Sequence, residues 1–303
     1  MELREMRYFL AVAEERNFSR AAERLHIAQP PLSRQIKALE DRLGTALFDR
    51  TTKGVELTAA GAALLAEVPN LLALAQRAKE RTLRAGRGLI GQLDVGLFGS
   101  GVLDVIPRML ARFHAARPEV RIRLHNLTKD AQLQALRERR IAVGFNRLVP
   151  PEDDIVVETV LRETMVVAMP ESHALARQTT VRLADLEDLP LIVYPNIPMR
   201  GLAQVVTDAF RRDQLRLRVE QDVEDVVTAI ALVAGGFGVA ITTHSATNLR
   251  LPGVVFRPLE STQLHDVELS CLYRRDDDSP VLRAFLEVVH DYARDRSEGL
   301  RSA

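Results

Sequence analysis

Residues 18–44 read FSRAAERLHIAQPPLSRQIKALEDRLG, and this stretch decides the fold of the first part of the chain. Ser19, just after Phe18, is a good N-cap for a helix running from Ser19 to Leu25. His26, Ile27 and Ala28 separate it from a second helix. Gln29 can cap that second helix, and Pro30 and Pro31 fall in its first turn, where a missing N–H is harmless. Leu32, Ile36, Leu39 and Leu43 recur at helical spacing as one buried stripe, and Gly44 ends the helix. Ala21 and Ala22 are small enough to let the two helices cross closely. With the stripe facing inward, Ser33, Arg34 and Lys37 turn outward.

Working outward, Leu3, Met6, Phe9, Leu10 and Ala13 repeat at helical spacing, and Asn17 closes that supporting helix. Downstream, Leu47–Arg50 and Val55–Leu57 are short extended pieces joined by Thr51-Thr52-Lys53-Gly54, a hairpin pattern. A supporting helix, then helix, three-residue turn and helix, has the layout of a helix-turn-helix reader of double-stranded DNA. Gln29, Pro30, Ser33 and Arg34 lie in or beside the first turns of the second helix, where base edges are reached, with Lys37 one turn on. Arg34 can donate two hydrogen bonds to guanine, and Gln29 can pair similarly with adenine. Arg50 and Lys53 on the hairpin would meet flanking phosphates, which position a reader without reading sequence. The plainer reading is a small helical domain with an ordinary solvated face.

The whole chain has 303 residues, 47% of them hydrophobic and 27% charged, which suits two globular domains and excludes a fibrous or broadly disordered protein. Its net charge of zero averages two unlike parts: residues 1–88 carry 15 Lys and Arg against 11 Asp and Glu, whereas the rest carry 26 against 30. A basic N-terminal part is compatible with a polyanion partner. One cysteine, Cys271, excludes a disulfide framework and fits a reducing compartment. No run is read as a membrane span and no secretory layout is found, so a cytoplasmic location is expected.

From Thr58 to about Arg87 the sequence is Ala/Leu-rich and helical. Leu64, Val68, Leu71, Ala75, Ala78 and Thr82 form a coiled-coil-like seam, which Pro69 interrupts and should kink. Gly86, Gly88 and Gly91 mark a flexible junction. Beyond it, strands are expected at Gln92–Leu97, Val120–Asn126, Ile141–Phe145, Ile155–Leu161, Met165–Met169, Pro190–Tyr194, Leu217–Asp222, Val239–Thr242 and Val267–Tyr273. Helices are expected at Leu103–Ala116, Asp130–Glu138, Gly201–Gln214, Val223–Ala234 and Ser279–Asp295. The alternation predicts an α/β domain with a mostly parallel sheet in two lobes around a cleft. The expected division is a DNA-binding domain at 1–58, a linker and dimerisation helix with hinge at 59–90, and an effector domain at 91–303. Within the last, lobe I takes about 91–162 and 267–303, and lobe II about 163–266.

The second domain's ligand can be argued from helix starts. Phe98-Gly99-Ser100-Gly101, Leu127-Thr128-Lys129 and the stretch from Asn196 to Gly201 each follow a strand and precede a helix. Helix starts offer free N–H groups and a positive dipole end, and strand ends of a parallel sheet share one crevice. A small organic anion with two acidic groups is therefore expected between the lobes, although each of these residues could equally be a plain cap. Gly235, Gly236 and Gly238 lack dinucleotide spacing, and Ser100 lacks a hydrolase frame. The seven histidines show no metal-ligand spacing, Asp276-Asp277-Asp278 reads as an acidic turn, and Cys271 as a buried small hydrophobe. No metal or cofactor is expected.

Residues 1–61 resemble the winged helix-turn-helix of LysR-type transcriptional regulators. The matching string is Phe9, Ala13, Phe18, Ser19, Ala21, Ala22, Leu25, Gln29, Pro30, Ser33, Ile36, Leu39, Glu40, Leu43, Gly44, Leu47, Phe48, Arg50, Leu57, Thr58 and Gly61. The resemblance covers the whole chain. It implies an all-α winged helix-turn-helix domain, a long linker helix for dimerisation, and a two-lobed α/β effector domain like periplasmic solute-binding proteins. It further implies a dimer of dimers and contact with RNA polymerase. The effector half resembles regulators answering benzoate, catechol or chlorocatechol breakdown products, on Thr128-Lys129-Asp130, Val143-Gly144-Phe145-Asn146-Arg147, Tyr194-Pro195 and Val233 through Val239. That subgroup implies a muconate-type dicarboxylate held by residues matching Ser100, Thr128 and the segment Pro198-Met199-Arg200; Phe98 and Asn146 are further candidate effector-binding residues. Met199 and Arg200 depart from the neutral or aromatic residues of that pattern; Arg200 could pair with a carboxylate or point to water. The rival is an α/β enzyme or cytosolic solute-binding protein whose N-terminal helices only oligomerise.

Overall fold

The computed structural model describes residues 1–51, 54–195 and 201–301 and divides into two compact units, Met1–Arg84 and Ala85–Ala303. The first unit opens with α1 (Leu3–Glu15), α2 (Phe18–Arg24) and α3 (Gln29–Leu43). Asn17 rather than Ser19 caps α2: its Oδ1 accepts the backbone N–H groups of Ser19 and Arg20 at 2.8 and 3.1 Å. Two good caps stand nearby in sequence, and Phe18 settles the choice by being buried in the first turn with its ring edge-on to Phe48. Gln29 is likewise the first helical residue of α3, with Ala28 at the cap and Pro30 in the second position. Leu32, Ile36 and Leu39 are fully buried with Phe9 and Val12 of α1 and Ala21 and Ala22 of α2. The stripe stops there, because Leu43 and Leu3 lie beyond the core at helix ends and are exposed.

β1 (Phe48–Thr51) and β2 (Gly54–Leu57) form the antiparallel wing. Glu40 of α3 fixes it by accepting the N–H groups of Leu47 and Phe48 at 2.8 and 3.2 Å. The wing hands over to α4 (Ala59–Gly86) through Thr58, whose hydroxyl donates to the Ala46 carbonyl and accepts from Gly61 N–H. Gly61 has no alternative, since a Cβ there would lie 2.1 Å from the Leu47 carbonyl oxygen. α4 continues through Pro69 without ending. The expected seam is split: Val68, with Leu64, Leu65 and Leu72, packs into the core of its own unit, whereas Leu71, Leu74 and Leu83 are exposed. By length and composition alone α4 also contains a stretch apolar enough to cross a membrane, which the sequence reading did not single out.

The second unit is built on one eight-stranded sheet. Its elements are β3 (Gly91–Leu97), α5 (Val105–Ala116), β4 (Val120–Asn126), α6 (Lys129–Arg137), β5 (Val143–Arg147), β6 (Ile155–Pro170), β7 (Val181–Arg182), β8 (Pro190–Val193), α7 (Leu202–Arg212), β9 (Arg218–Asp222), α8 (Val226–Ala234), β10 (Ala240–Thr243), β11 (Val254–Glu260), β12 (Asp266–Arg274) and α9 (Pro280–Arg301). The order along the sheet is β4-β3-β5-β12-β6-β11-β7, with β10 also on β6 and a separate pair β8-β9. β3 runs parallel to β4 and β5, but β12 is antiparallel to β5 and β6, and β10 and β11 are antiparallel to β6. The sheet is therefore mixed, not mostly parallel.

The two expected strands Ile155–Leu161 and Met165–Met169 are one continuous strand, β6. Its first half pairs with β12 in lobe I, and its second half carries β10 and β11 in lobe II. Each lobe has its own core: Phe113, Phe145 and Phe285 stack edge to face in one, and Phe210, Ile230 and Leu191 centre the other. β7 and β11 were absent from the expected elements. Gly88, read as part of a flexible junction, is instead buried, and a Cβ there would lie 2.5 Å from the Pro280 carbonyl oxygen.

Candidate functional site

In the first unit, burial of Leu32, Ile36 and Leu39 leaves the opposite face of α3 to solvent. Gln29, Pro30, Arg34 and Lys37 are exposed and Ser33 is half-buried. Gln29 Nε2 donates to Ser33 Oγ at 2.8 Å, so these two polar groups meet one turn apart, and Lys37 pairs with Asp41 at 3.0 Å. Arg34 is exposed on the same helix, and its guanidinium is of a kind that can donate two hydrogen bonds to a base edge. Behind this face, Arg42 of α3 pairs with the buried Glu5 of α1, and that hydrogen bond holds the Glu5 carboxyl below the usual range. The pair ties α3 to its supporting helix. Arg50 sits on β1 opposite Val55, and Lys53 lies outside the described residues.

The second unit has a cleft between its lobes at the ends of β3, β5 and β8. Phe98, Ser100, Lys129, Asn146 and Arg147 line one wall, and Tyr194, Leu202, Glu224 and Asp225 the other. Ser100 is buried and its hydroxyl shares a 2.7 Å hydrogen bond with Thr243 of lobe II. Its expected place at a long helix start is corrected: a short 3₁₀ turn, Ser100–Leu103, intervenes and α5 begins at Val105. Thr128 caps α6 by position but is exposed, and the lining residue at that helix start is its neighbour Lys129. Lys129 is fully buried, with Nζ donating to the Leu148 carbonyl at 2.8 Å. Pro198, Met199 and Arg200 lie outside the described residues.

Charges at the cleft are tied down. Arg147 is ion-paired with Glu163 and donates to the Val267 carbonyl at 3.3 Å; burial pulls its guanidinium down to about 10, leaving it charged at neutral pH. Glu163 in turn accepts the backbone N–H and hydroxyl of Ser245 at 2.7 and 2.5 Å. This bridge runs from the end of β5 through β6 to the turn after β10, coupling the lobes. Tyr194 hydrogen-bonds Thr242, and burial raises its phenol to about 12, so it stays neutral. At Asp225, burial opposes ionisation, but hydrogen bonds from Thr228 and Val227 outweigh it and hold the carboxylate at the start of α8.

Two family models account for nearly all of the chain: the bacterial regulatory helix-turn-helix protein of the lysR family at residues 3–62, and the LysR substrate binding domain at 86–294. The chain belongs to the LysR family of transcriptional regulators. Among its relatives, the regulator ClcR of Pseudomonas putida is 37% identical over 95% of this chain and 98% of its own length. The crystal structure of full-length CbnR with its target DNA matches with a TM-score of 0.86 and 35% identity, over 97% of this chain and 100% of that one. The effector-binding domain of BenM with its effector benzoate matches with a TM-score of 0.61 and 26% identity, over 68% of this chain and 94% of that one. This LysR-family protein is thus a DNA-binding transcriptional regulator with an effector-binding domain, not an enzyme, and both rival readings fall.

Sequence reasoning did not single out Lys129, Arg147, Glu163 or Tyr194 for the cleft. For Lys129 a signal was available: a cation at the first position of a helix opposes the helix dipole and needs another reason to be there. Arg147 and Glu163 gave none, because charged residues in strands are ordinarily read as solvated.

Proposed function

We propose that this LysR-family protein is an effector-gated transcription activator of aromatic catabolism, working as a homotetramer built from two dimers in the cytoplasm, where its DNA lies. Paired heads read an approximately two-fold operator, as a symmetric dimer requires. Gln29, Pro30, Ser33 and Arg34 serve base edges, and Lys37, Arg50 and Lys53 serve phosphates. The observation that carries this reading is the division of α3 into a fully buried face of Leu32, Ile36 and Leu39 and an exposed face with Gln29 and Arg34. The exposed Leu71, Leu74 and Leu83 on α4 support pairing through that helix.

A small organic anion of benzoate or muconate type binds between the lobes at Phe98, Ser100 and Asn146, with Thr128, exposed beside the lining Lys129, and Pro198, Met199 and Arg200, outside the described residues, as the further candidates. The buried Lys129 supports an anionic ligand. The Ser100–Thr243 and Arg147–Glu163–Ser245 contacts hold the lobes in one defined arrangement, and a ligand acts through its differential affinity for that arrangement. Closure then changes the spacing of the paired heads and presents the regulator to RNA polymerase. Arg34→Ala tests the head directly. Loss of a good bidentate base contact is expected to weaken specific operator binding by about 1–3 kcal/mol, read by fluorescence anisotropy, with thermal stability unchanged. Unaltered operator affinity would place the reading face elsewhere.

A further inference from the structure

We infer that the backbone carbonyl of Arg16, at the end of α1, is a clamp that positions the wing for its phosphate contacts, and that Gly54 is the residue that lets the wing reach it. This rests on the proposal above that the wing serves phosphates. α1 ends in a left-handed turn: Arg16 has φ 50° and ψ 24°, and its N–H donates to the Val12 carbonyl at 2.9 Å. Few residues other than glycine hold that conformation without cost, and such outliers persist where their surroundings use them. The last carbonyls of a helix have no partner inside it. Here the Arg16 carbonyl accepts the backbone N–H of Val55 at 3.2 Å, so the wing itself caps the end of α1.

The contact satisfies both sides. β1 and β2 form a two-stranded sheet, so the outer edge of β2 needs acceptors from elsewhere. Val55 stands opposite Arg50 in register, and its N–H turns away from β1 toward α1. Gly54 leads into it with φ 132°, a conformation that L side chains rarely adopt, and a Cβ there would lie 3.1 Å from the same Arg16 oxygen. On the other strand, the Glu40 carboxylate of α3 accepts the N–H groups of Leu47 and Phe48. β1 is thus held at its start by α3 and β2 at its start by α1, and two attachments from different helices set the tilt of the wing on the head. Phosphate contacts position a reader without reading bases. The tilt of the wing therefore sets the salt-dependent part of DNA affinity and leaves the choice of sequence to α3.

The test is binding of the full chain to two duplexes across about 50 to 200 mM KCl. One is an operator selected from random DNA by the wild-type protein, and the other is a scrambled duplex of the same length and composition. Each phosphate contact adds about 0.9 to the slope of log affinity against log salt. Arg50→Ala is expected to lower that slope by about one per head. Gly54→Ala should lower it equally, with the ratio of operator to scrambled affinity kept within about twofold. Val55→Pro, which removes the donated N–H, should do the same and serves if the alanine variant does not fold. If Arg50→Ala lowers the slope and both wing variants leave it unchanged, the inference is overturned and the phosphate role of the wing stands. A collapse of the affinity ratio in the wing variants also overturns it, because α3 itself has then moved. A wild-type slope in Arg50→Ala overturns the phosphate role of the wing, and the inference with it.

Discussion

The head and the effector unit treat polar side chains in opposite ways. Of the ten polar or charged residues buried among the described residues, Glu5 alone belongs to the first unit; the other nine, from Ser100 to Ser270, belong to the second. The helix-turn-helix keeps the side chains proposed to meet DNA at the surface of α3 and buries an interior that is apolar apart from Glu5. The effector unit places an ion pair, a lysine and an amide whose nitrogen is unpartnered around its cleft, where low polarity strengthens each interaction and penalises each vacancy. The two units therefore differ in where their polar atoms sit, and that difference can be broken from either side.

The largest effect is expected at Glu163. Glu163→Gln leaves Arg147 charged in a buried site without its counter-ion, a lesion that destabilises by about 3–5 kcal/mol. Urea unfolding should show this loss in the second unit, while operator binding persists. Replacing Glu163 and Arg147 together by leucine should restore much of it, because the stranded charge is then gone. A smaller loss, about 3 kcal/mol, is expected for Ile36→Ala, which opens a cavity under the reading face. Here the first unit should unfold earlier and operator binding weaken, with effector affinity intact. If either variant damages both units equally, the contrast between them is wrong.

The smallest effect is one of pH. The Glu5 carboxyl is held below its ordinary value of 4.5, first by the hydrogen bond from Arg42 and then by the backbone N–H of Glu2. A carboxyl with a lowered folded-state pKa contributes stability that is present above its unfolded pKa and is lost as pH falls through the folded one. Acid titration of the wild type should therefore show a loss below pH 4.5 that Glu5→Gln does not show. A parallel acid profile for the two proteins would remove this ion pair as a support of the head.

The head was legible in sequence because its determinants are local. The spacing of Leu32, Ile36 and Leu39, the prolines at the start of α3 and Gly44 at its end all act within a few residues. Its errors were local as well: a cap displaced from Asn17 to Ser19, and a stripe extended to Leu43 beyond the core that could cover it. In the effector unit the strand pattern was readable, yet β6 was divided because Arg162-Glu163-Thr164 looks like a solvated break. Glu163 is buried there only because Arg147 and Ser245 reach it from other elements.

Periodicity, caps and the family motif thus established from sequence a winged helix-turn-helix joined to an α/β receptor, since a helix or strand declares its buried face through neighbours a turn or a pleat away. Tertiary structure alone decided which polar groups meet at the cleft. Ser100 and Thr243 are 143 residues apart, and Glu163 of β6 meets Arg147 of β5 and Ser245 beyond β10 only once the sheet is assembled. Whether a polar side chain is solvated, paired or left waiting depends on what distant strands bring against it, and no local pattern encodes that.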